Sequence, residues 1–147
     1  MIKVDDGELL SDILKWSVAG FGTAFEVAVP SFEPSGLFSR SMMQAAALGT
    51  RVRFFTRWPE EKDKQDALAQ LMAHDVAVVI VPHLQAQAAL LTDESTGLWY
   101  GWVEGVAFLG CGDAEAVLLR ELLETIEDWE RAASREVRRR AFQRRLN

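Results

Sequence analysis

The amino-acid sequence predicts an α/β protein: a layered α/β/α sandwich with a mixed, largely parallel sheet and a long C-terminal helix. The first observation is that segments with helical spacing of apolar residues alternate with short β-rich runs. The second is Val76–Val81, an uninterrupted apolar run without a charge and the strongest strand pattern in the chain. The third is an apolar stripe after Asp113, at steps of three and four residues, which indicates a long final helix.

The first half of the chain alternates helices and strands. Apolar residues of Leu9–Val18 fall on one helical face, and a β-rich run follows at Thr23–Val29. Ser35 can cap a second helix that ends at Gly49. In the next strand, Arg51–Thr56, two adjoining phenylalanines interrupt the alternation, as expected when both faces of a strand are covered.

The second half adds a third helix, the uncharged strand and two further β-rich runs. The third helix is predicted to place Leu68, Leu71 and Met72 inward. The runs Ala86–Thr92 and Leu98–Leu109 are predicted to be strands, with a turn at Asp93–Gly97 between them.

The composition indicates a soluble globular protein. A chain of 147 residues suits one domain, and no apolar run reaches the roughly 18 to 20 residues that a membrane helix needs. The first residues lack the apolar core of a signal peptide. Cys111 is the only cysteine, which excludes an internal disulfide and a two-cysteine metal site. We therefore expect a cytoplasmic protein without membrane insertion, and predict neither a cofactor nor a metal.

Charge is divided unevenly along the chain. No linker or repeat interrupts it, so we expect one domain over residues 1–130, with residues 131–147 as an Arg-rich helical extension of the same domain. The net charge is −6, yet the extension has seven arginines and one acid. An acidic body repels nucleic acid at long range, so only the extension is a candidate nucleic-acid contact; the alternative is pairing with acidic residues of a partner helix. The arginines concerned are Arg135, Arg138, Arg139, Arg140, Arg144 and Arg145.

Two segments of the sequence have the layout of a known superfamily. Pro34–Thr56 contains a helix, a glycine and a basic-apolar strand, and Ala73–Asp93 contains an apolar strand, a Val-Pro step and a second apolar run. In order and spacing they resemble the phospholipase-D-like superfamily of lipases and nucleases. Catalytic members of that superfamily place two motifs face to face. The resemblance therefore implies that this chain, with one repeat, forms a homodimer or uses a protein partner.

Superfamily enzymes carry a His-x-Lys-(x)4-Asp motif after the Val-Pro step, and the resemblance assigns its three positions to Gln85, Gln87 and Thr92. A neutral amide has no lone pair nucleophilic enough to form a phospho-enzyme. Gln87 can donate a hydrogen bond to phosphate but brings no charge. Thr92 cannot act as a carboxylate, and Asp93 would point to the opposite face of a regular strand unless a bulge intervened.

Other residues near the motif positions have two interpretations each. His83 restores the motif in no frame and is interpreted as a turn residue, with a catalytic role as the alternative. Where the superfamily has a Gly-Ser-x-Asn run, this chain keeps only a glycine among the aromatic residues Trp99, Tyr100 and Trp102. These aromatic residues can stack nucleobases, but packing in the core or at an interface is the favoured interpretation.

The sequence favours a catalytically inactive phospholipase-D-like domain that acts as a dimerisation, assembly or binding module. By analogy of fold alone, its setting would be a nucleic-acid-processing or defence complex. One alternative is an active phosphodiesterase or nuclease with a non-standard site. Another is nucleic-acid binding through the Arg-rich C-terminal helix.

Overall fold

The computed structural model describes residues 2–4, 22–103, 106–111, 121 and 124–132. Several predictions fall outside these ranges: the helix at Leu9–Val18, the beginning of the final helix at Asp113, and all six arginines of the C-terminal cluster. None of the helices in these ranges is long and apolar enough to cross a membrane.

The described elements follow the order that the sequence indicates, with two more strands, of which β1 was not predicted. They are β1 (Ile2–Val4), β2 (Ala24–Ala28), α1 (Leu37–Ala47), β3 (Arg51–Thr56), α2 (Lys62–Ala73), β4 (Ala77–Ile80), β5 (Ala88–Thr92), β6 (Leu98–Val103), β7 (Val106–Cys111) and α3 (residues 124–132). The α/β class is thereby confirmed. The predicted strand Leu98–Leu109 is instead two paired strands, since a strand of typical length spans only about five or six residues.

The seven described strands form one sheet in the order β1-β7-β6-β5-β2-β3-β4. The prediction of a largely parallel sheet is wrong: β3 pairs parallel with β2 and β4, and every other pairing is antiparallel. The reason lies in the connection from β4 to β5, residues 81–87. A parallel crossover needs a dozen residues or more, so this short segment can only return the chain antiparallel to β2.

Helices cover the two faces of the sheet. On one face, α1 and α2 bury Met42, Leu68 and Leu71 against side chains of the central strands. The prediction that Met72 also points inward is wrong, because this residue is 52% exposed. On the other face, α3 packs Ile126 and Trp129 over β3 and β5. The centroids of the Phe55 and Trp129 rings lie 5.7 Å apart. The sheet is therefore the middle layer of three.

The adjoining phenylalanines of β3 confirm the prediction that both of its faces are covered. Phe54 is buried in the cluster beneath α1 and α2, and its ring centroid lies 5.4 Å from that of Phe32. Phe55 is buried in the cluster beneath α3. Since successive side chains of a strand point to opposite faces, neighbouring apolar residues mark a strand inside a layered core.

Candidate functional site at one edge of the sheet

The strand registers bring the ends of five strands to one edge of the sheet, here called the carboxyl edge. Ala28, at the end of β2, is the partner of Phe55 near the end of β3 and of Ala88 at the start of β5. Ala88 in turn pairs with Val103 at the end of β6. β4 runs parallel to β3 and also ends here. In α/β sheets, ligands bind outside the carboxyl ends of the strands, so this edge is the place to look for a site.

Residues 81–87, here called the motif segment, run along the carboxyl edge from β4 to β5. Val81 and Leu84 are buried and anchor the segment, and the Leu84 amide donates to the Val81 carbonyl over 3.2 Å. His83, Gln85 and Gln87 are exposed. The predicted strand Ala86–Thr92 begins only at Ala88, so both glutamines precede the strand instead of lying in it. The segment therefore presents an imidazole and two neutral amides at the edge.

A surface hollow of about 370 Å³ lies between the motif segment and α3. Its lining includes His83, Gln85 and Ala86 on one side, with Trp129 and Ala132 on the other. The lining described here carries no carboxylate or ammonium group. The hollow can therefore supply hydrogen bonds and apolar contact, but no fixed charge.

Thr92, the third motif position, does not join the two glutamines. It ends β5 and pairs with Ala24 at the start of β2, on the opposite edge of the sheet. Because each strand residue advances about 3.3 Å, the length of β5 puts roughly 16 Å between Thr92 and Gln87. The structure thus brings together two of the three positions.

Asp93 begins the turn between β5 and β6 and is not part of the carboxyl edge. Its carboxylate accepts hydrogen bonds from the Ser95 amide at 3.1 Å, the Ser95 hydroxyl at 2.8 Å and the Thr96 hydroxyl at 2.9 Å. These hydrogen bonds, the one from the Ser95 hydroxyl foremost, lower the pKa of Asp93 below its usual value. The carboxylate holds the β5–β6 hairpin closed.

The aromatic residues of β6 lie within the layers. Trp99 is 1% exposed in the cluster beneath α3, and Tyr100 is buried on the opposite face. Burial, and then the charge of Asp93, raise the pKa of Tyr100. Trp102 is half-buried against the same cluster as Tyr100. A side chain as enclosed as that of Trp99 offers no face on which a base could stack.

An ion cluster beneath α3 was not predicted from the sequence. Arg53 of β3 donates from Nε to Oε1 of Glu26 over 3.0 Å, and its terminal nitrogens contact Glu26 and Glu130. Glu26 is 5% exposed, and its Oε2 has no partner among the described residues. The sequence did contain an indication of this cluster: Glu26 and Arg53 each lie between two apolar residues of a strand. Because buried charges require partners, the two residues could have been expected to pair.

A cleft of about 550 Å³ opens at the carboxyl edge, beyond β2, β3 and β4. Arg57 and Trp58 follow β3 into it, and Arg57 Nε donates to the Pro30 carbonyl over 3.3 Å. Trp58 is 54% exposed. Lys64, in the first turn of α2, lies 3.3 Å from a carboxylate oxygen of Glu33. The sequence analysis missed this cleft. Arg57 and Trp58 directly follow a parallel strand, and residues in that position are often part of a ligand site.

Among the residues that the structure describes, no group of three or more His, Cys, Asp or Glu side chains is placed to hold a metal ion.

The fold and this edge define the class of the protein: an α/β domain with a mixed sheet between helical layers. No protein-family model matches the sequence, and no curated protein matches it. Among solved structures, the chain is similar to polyphosphate kinase from Porphyromonas gingivalis, with a TM-score of 0.53 and 14% sequence identity. The match covers 66% of this chain and only 18% of the kinase. At 14% sequence identity, this similarity shows a shared α/β fold.

Proposed function

We propose that the chain is a non-catalytic phospholipase-D-like domain that serves as an assembly module and pairs with a second copy through the carboxyl edge. The observation that carries this proposal is the motif segment, in which Gln85 and Gln87 are exposed where the superfamily keeps a nucleophile and a cation. His83 is the other exposed polar group of the segment.

The chemistry of an amide suits a symmetric contact. A carboxamide carries both hydrogen-bond donors and acceptors, so the same residue from two copies can pair with itself across a two-fold axis. Histidine and lysine at these positions would bring like charges together there. The replacement of both by glutamine therefore removes a catalytic pair and leaves a self-complementary surface.

The test is the solution mass of a charged double variant. His83→Glu with Gln85→Glu places like charges at the proposed axis, and we expect dimer dissociation to become at least about tenfold easier. Gln44→Glu with Gln70→Glu makes the same charge change on exposed positions of α1 and α2 and is the matched control. Sedimentation equilibrium measures both. A wild-type monomer, or equal dissociation of the two variants, would refute the interface.

A phosphodiesterase assay separates the proposal from the enzymatic alternative. We expect the purified protein to leave a model phosphodiester and single-stranded DNA intact, with and without divalent cations. Cleavage that disappears in His83→Ala would contradict the proposal and assign catalysis to the motif segment.

A further inference from the structure

We propose that the cleft beyond β2, β3 and β4 binds a nucleoside monophosphate, or a small anion that similarly carries a planar ring. The cleft opens at the same edge as the hollow beside α3 and shares Pro82 with it. The inference is therefore tested with variants of residues that line the cleft alone. The walls of the cleft are the segments that follow β2 and β3, together with Ile80 and Pro82 at the end of β4.

The position and size of the cleft are those of a ligand site. The direction of strand pairing changes at β2, which pairs parallel with β3 on one side and antiparallel with β5 on the other. Crevices outside the carboxyl ends of strands are the usual ligand sites of α/β sheets. The volume of about 550 Å³ lies inside the range of about 300 to 1,000 Å³ typical of small-molecule pockets.

Arg57 supplies the group that would hold an anion. Its Nε is fixed by the Pro30 carbonyl, and its terminal nitrogens have no other partner among the described residues. Lys64 is already paired with Glu33 and Glu61, so it is the less available cation of the two. A guanidinium anchored at one nitrogen keeps its other donors in a fixed fork, which matches the oxygens of a phosphate.

The beginning of α2 adds donors at the same cleft. The helix has no side-chain cap at Glu61, and its first internal bond runs from the Gln65 amide to the Glu61 carbonyl over 3.1 Å. The backbone amides before Gln65 therefore lack helical partners. Gln65 also donates to the Pro59 carbonyl over 2.9 Å, which fixes the loop that carries Trp58.

A buried hydroxyl without a partner among the described residues lies at the end of β3, one residue before Arg57 of the cleft lining. Thr56 ends β3, is 0% exposed, and its Oγ1 has no hydrogen-bond partner among the described residues. Its register partner is Ile80, and paired residues of parallel strands present their side chains to the same face. Ile80 lines the cleft, so the hydroxyl lies on the same face of the sheet as that wall, although Thr56 itself does not line the cleft. A buried polar atom of this kind is normally satisfied by a ligand or an ordered water.

The other residues that line the cleft indicate that the ligand carries a planar ring and hydroxyl groups. Trp58 exposes about half of its surface, which is a flat face for stacking a base. Glu60 and Glu61 are exposed carboxylates beside it and can accept hydrogen bonds from sugar hydroxyls. An anion receptor, a stacking face and hydrogen-bond acceptors in one cleft correspond to the phosphate, base and ribose of a nucleotide.

The inference is tested by calorimetric titration with adenosine 5′-monophosphate, adenosine and inorganic phosphate. We expect the monophosphate to bind at least about tenfold more tightly than either fragment. Arg57→Gln should weaken the monophosphate about tenfold and leave adenosine unchanged. Trp58→Leu should weaken both nucleoside ligands and leave phosphate unchanged. The matched control is Arg51→Gln, an exposed arginine at the opposite end of β3.

Two results would overturn the inference. One is no heat and no chemical-shift change with the monophosphate at about 5 mM. The other is an equal effect of Arg57→Gln and Arg51→Gln, which would mean a general loss of positive charge. Urea unfolding of each variant distinguishes a lost site from a lost fold. Neither result bears on the dimer, which the variants of the motif segment test separately.

Discussion

Replacement of Arg53 by methionine should destabilise the protein more than any other change in the ion cluster beneath α3. Arg53 donates to Glu26 from its Nε and a terminal nitrogen, and to Glu130 from the other terminal nitrogen. Methionine keeps an apolar stem over Phe55 but removes the only cation that the structure places at the Glu26 carboxylate.

The magnitude follows from the exposure of each partner. Glu26 is 5% exposed, so Arg53→Met leaves a buried carboxylate without a counter-charge, which costs about 3 to 5 kcal/mol for a fully buried pair. Arg53 itself is 24% exposed, and solvent screening puts the expected loss at the lower end, about 3 kcal/mol. Glu130 is 38% exposed, so Glu130→Gln should cost about 1 kcal/mol or less.

Equilibrium urea unfolding at neutral pH measures these differences, with the slope of the transition as a check on two-state behaviour. The double variant Glu26→Leu with Arg53→Met removes the buried charge together with its partner. It should therefore be more stable than Arg53→Met alone. The reasoning is refuted if Arg53→Met and Glu130→Gln cost the same, or if the double variant is the least stable protein of the set.

Two further predictions concern the ends of β2 and β5. Hydrogen bonds depress the folded-state pKa of Asp93, so they stabilise the protein above the unfolded-state pKa, and this stabilisation is lost as pH falls through the folded-state pKa. Asp93→Asn should therefore flatten the acid limb of stability against pH, and an unchanged acid limb would contradict the proposed turn. Gly22→Ala should be more destabilising than Gly49→Ala in thermal unfolding. Both glycines have positive φ, but an added Cβ at Gly22 would lie 2.6 Å from Leu91 Cδ1, whereas Gly49 has open space. Equal losses would contradict the packing described here.

The strands were predictable from the sequence because their apolar residues are local features. The adjoining Phe54 and Phe55 predicted a strand covered on both faces, and they are buried in two separate clusters. Strand direction was not predictable from those runs, since a buried strand has the same composition in either direction. The direction of β5 could have been inferred from the short connection of residues 81–87, because this connection is too short for a parallel crossover.

The candidate site was predictable only where it depends on local order. The position of Gln85 and Gln87 beyond β4 follows from the Val-Pro step, and both lie at the carboxyl edge. The contact between Glu26 and Arg53 depends instead on the parallel register, in which the two residues are direct partners. Such pairings join distant parts of the chain, and no pattern within one segment specifies them.

The strand order also determines the sequence in which the sheet can be assembled during synthesis. β2, β3 and β4 come from one continuous stretch and can associate early, but the other side of β2 is covered only when β5 has been made. Until then, β2 has an open edge beside the large apolar side chain of Phe25. β1 can join the sheet only after β7 has been synthesised, because Ile2 pairs with Leu109. A nascent chain that stops before β5 therefore exposes a template for edge-to-edge aggregation, and slow non-local pairing lengthens that exposure.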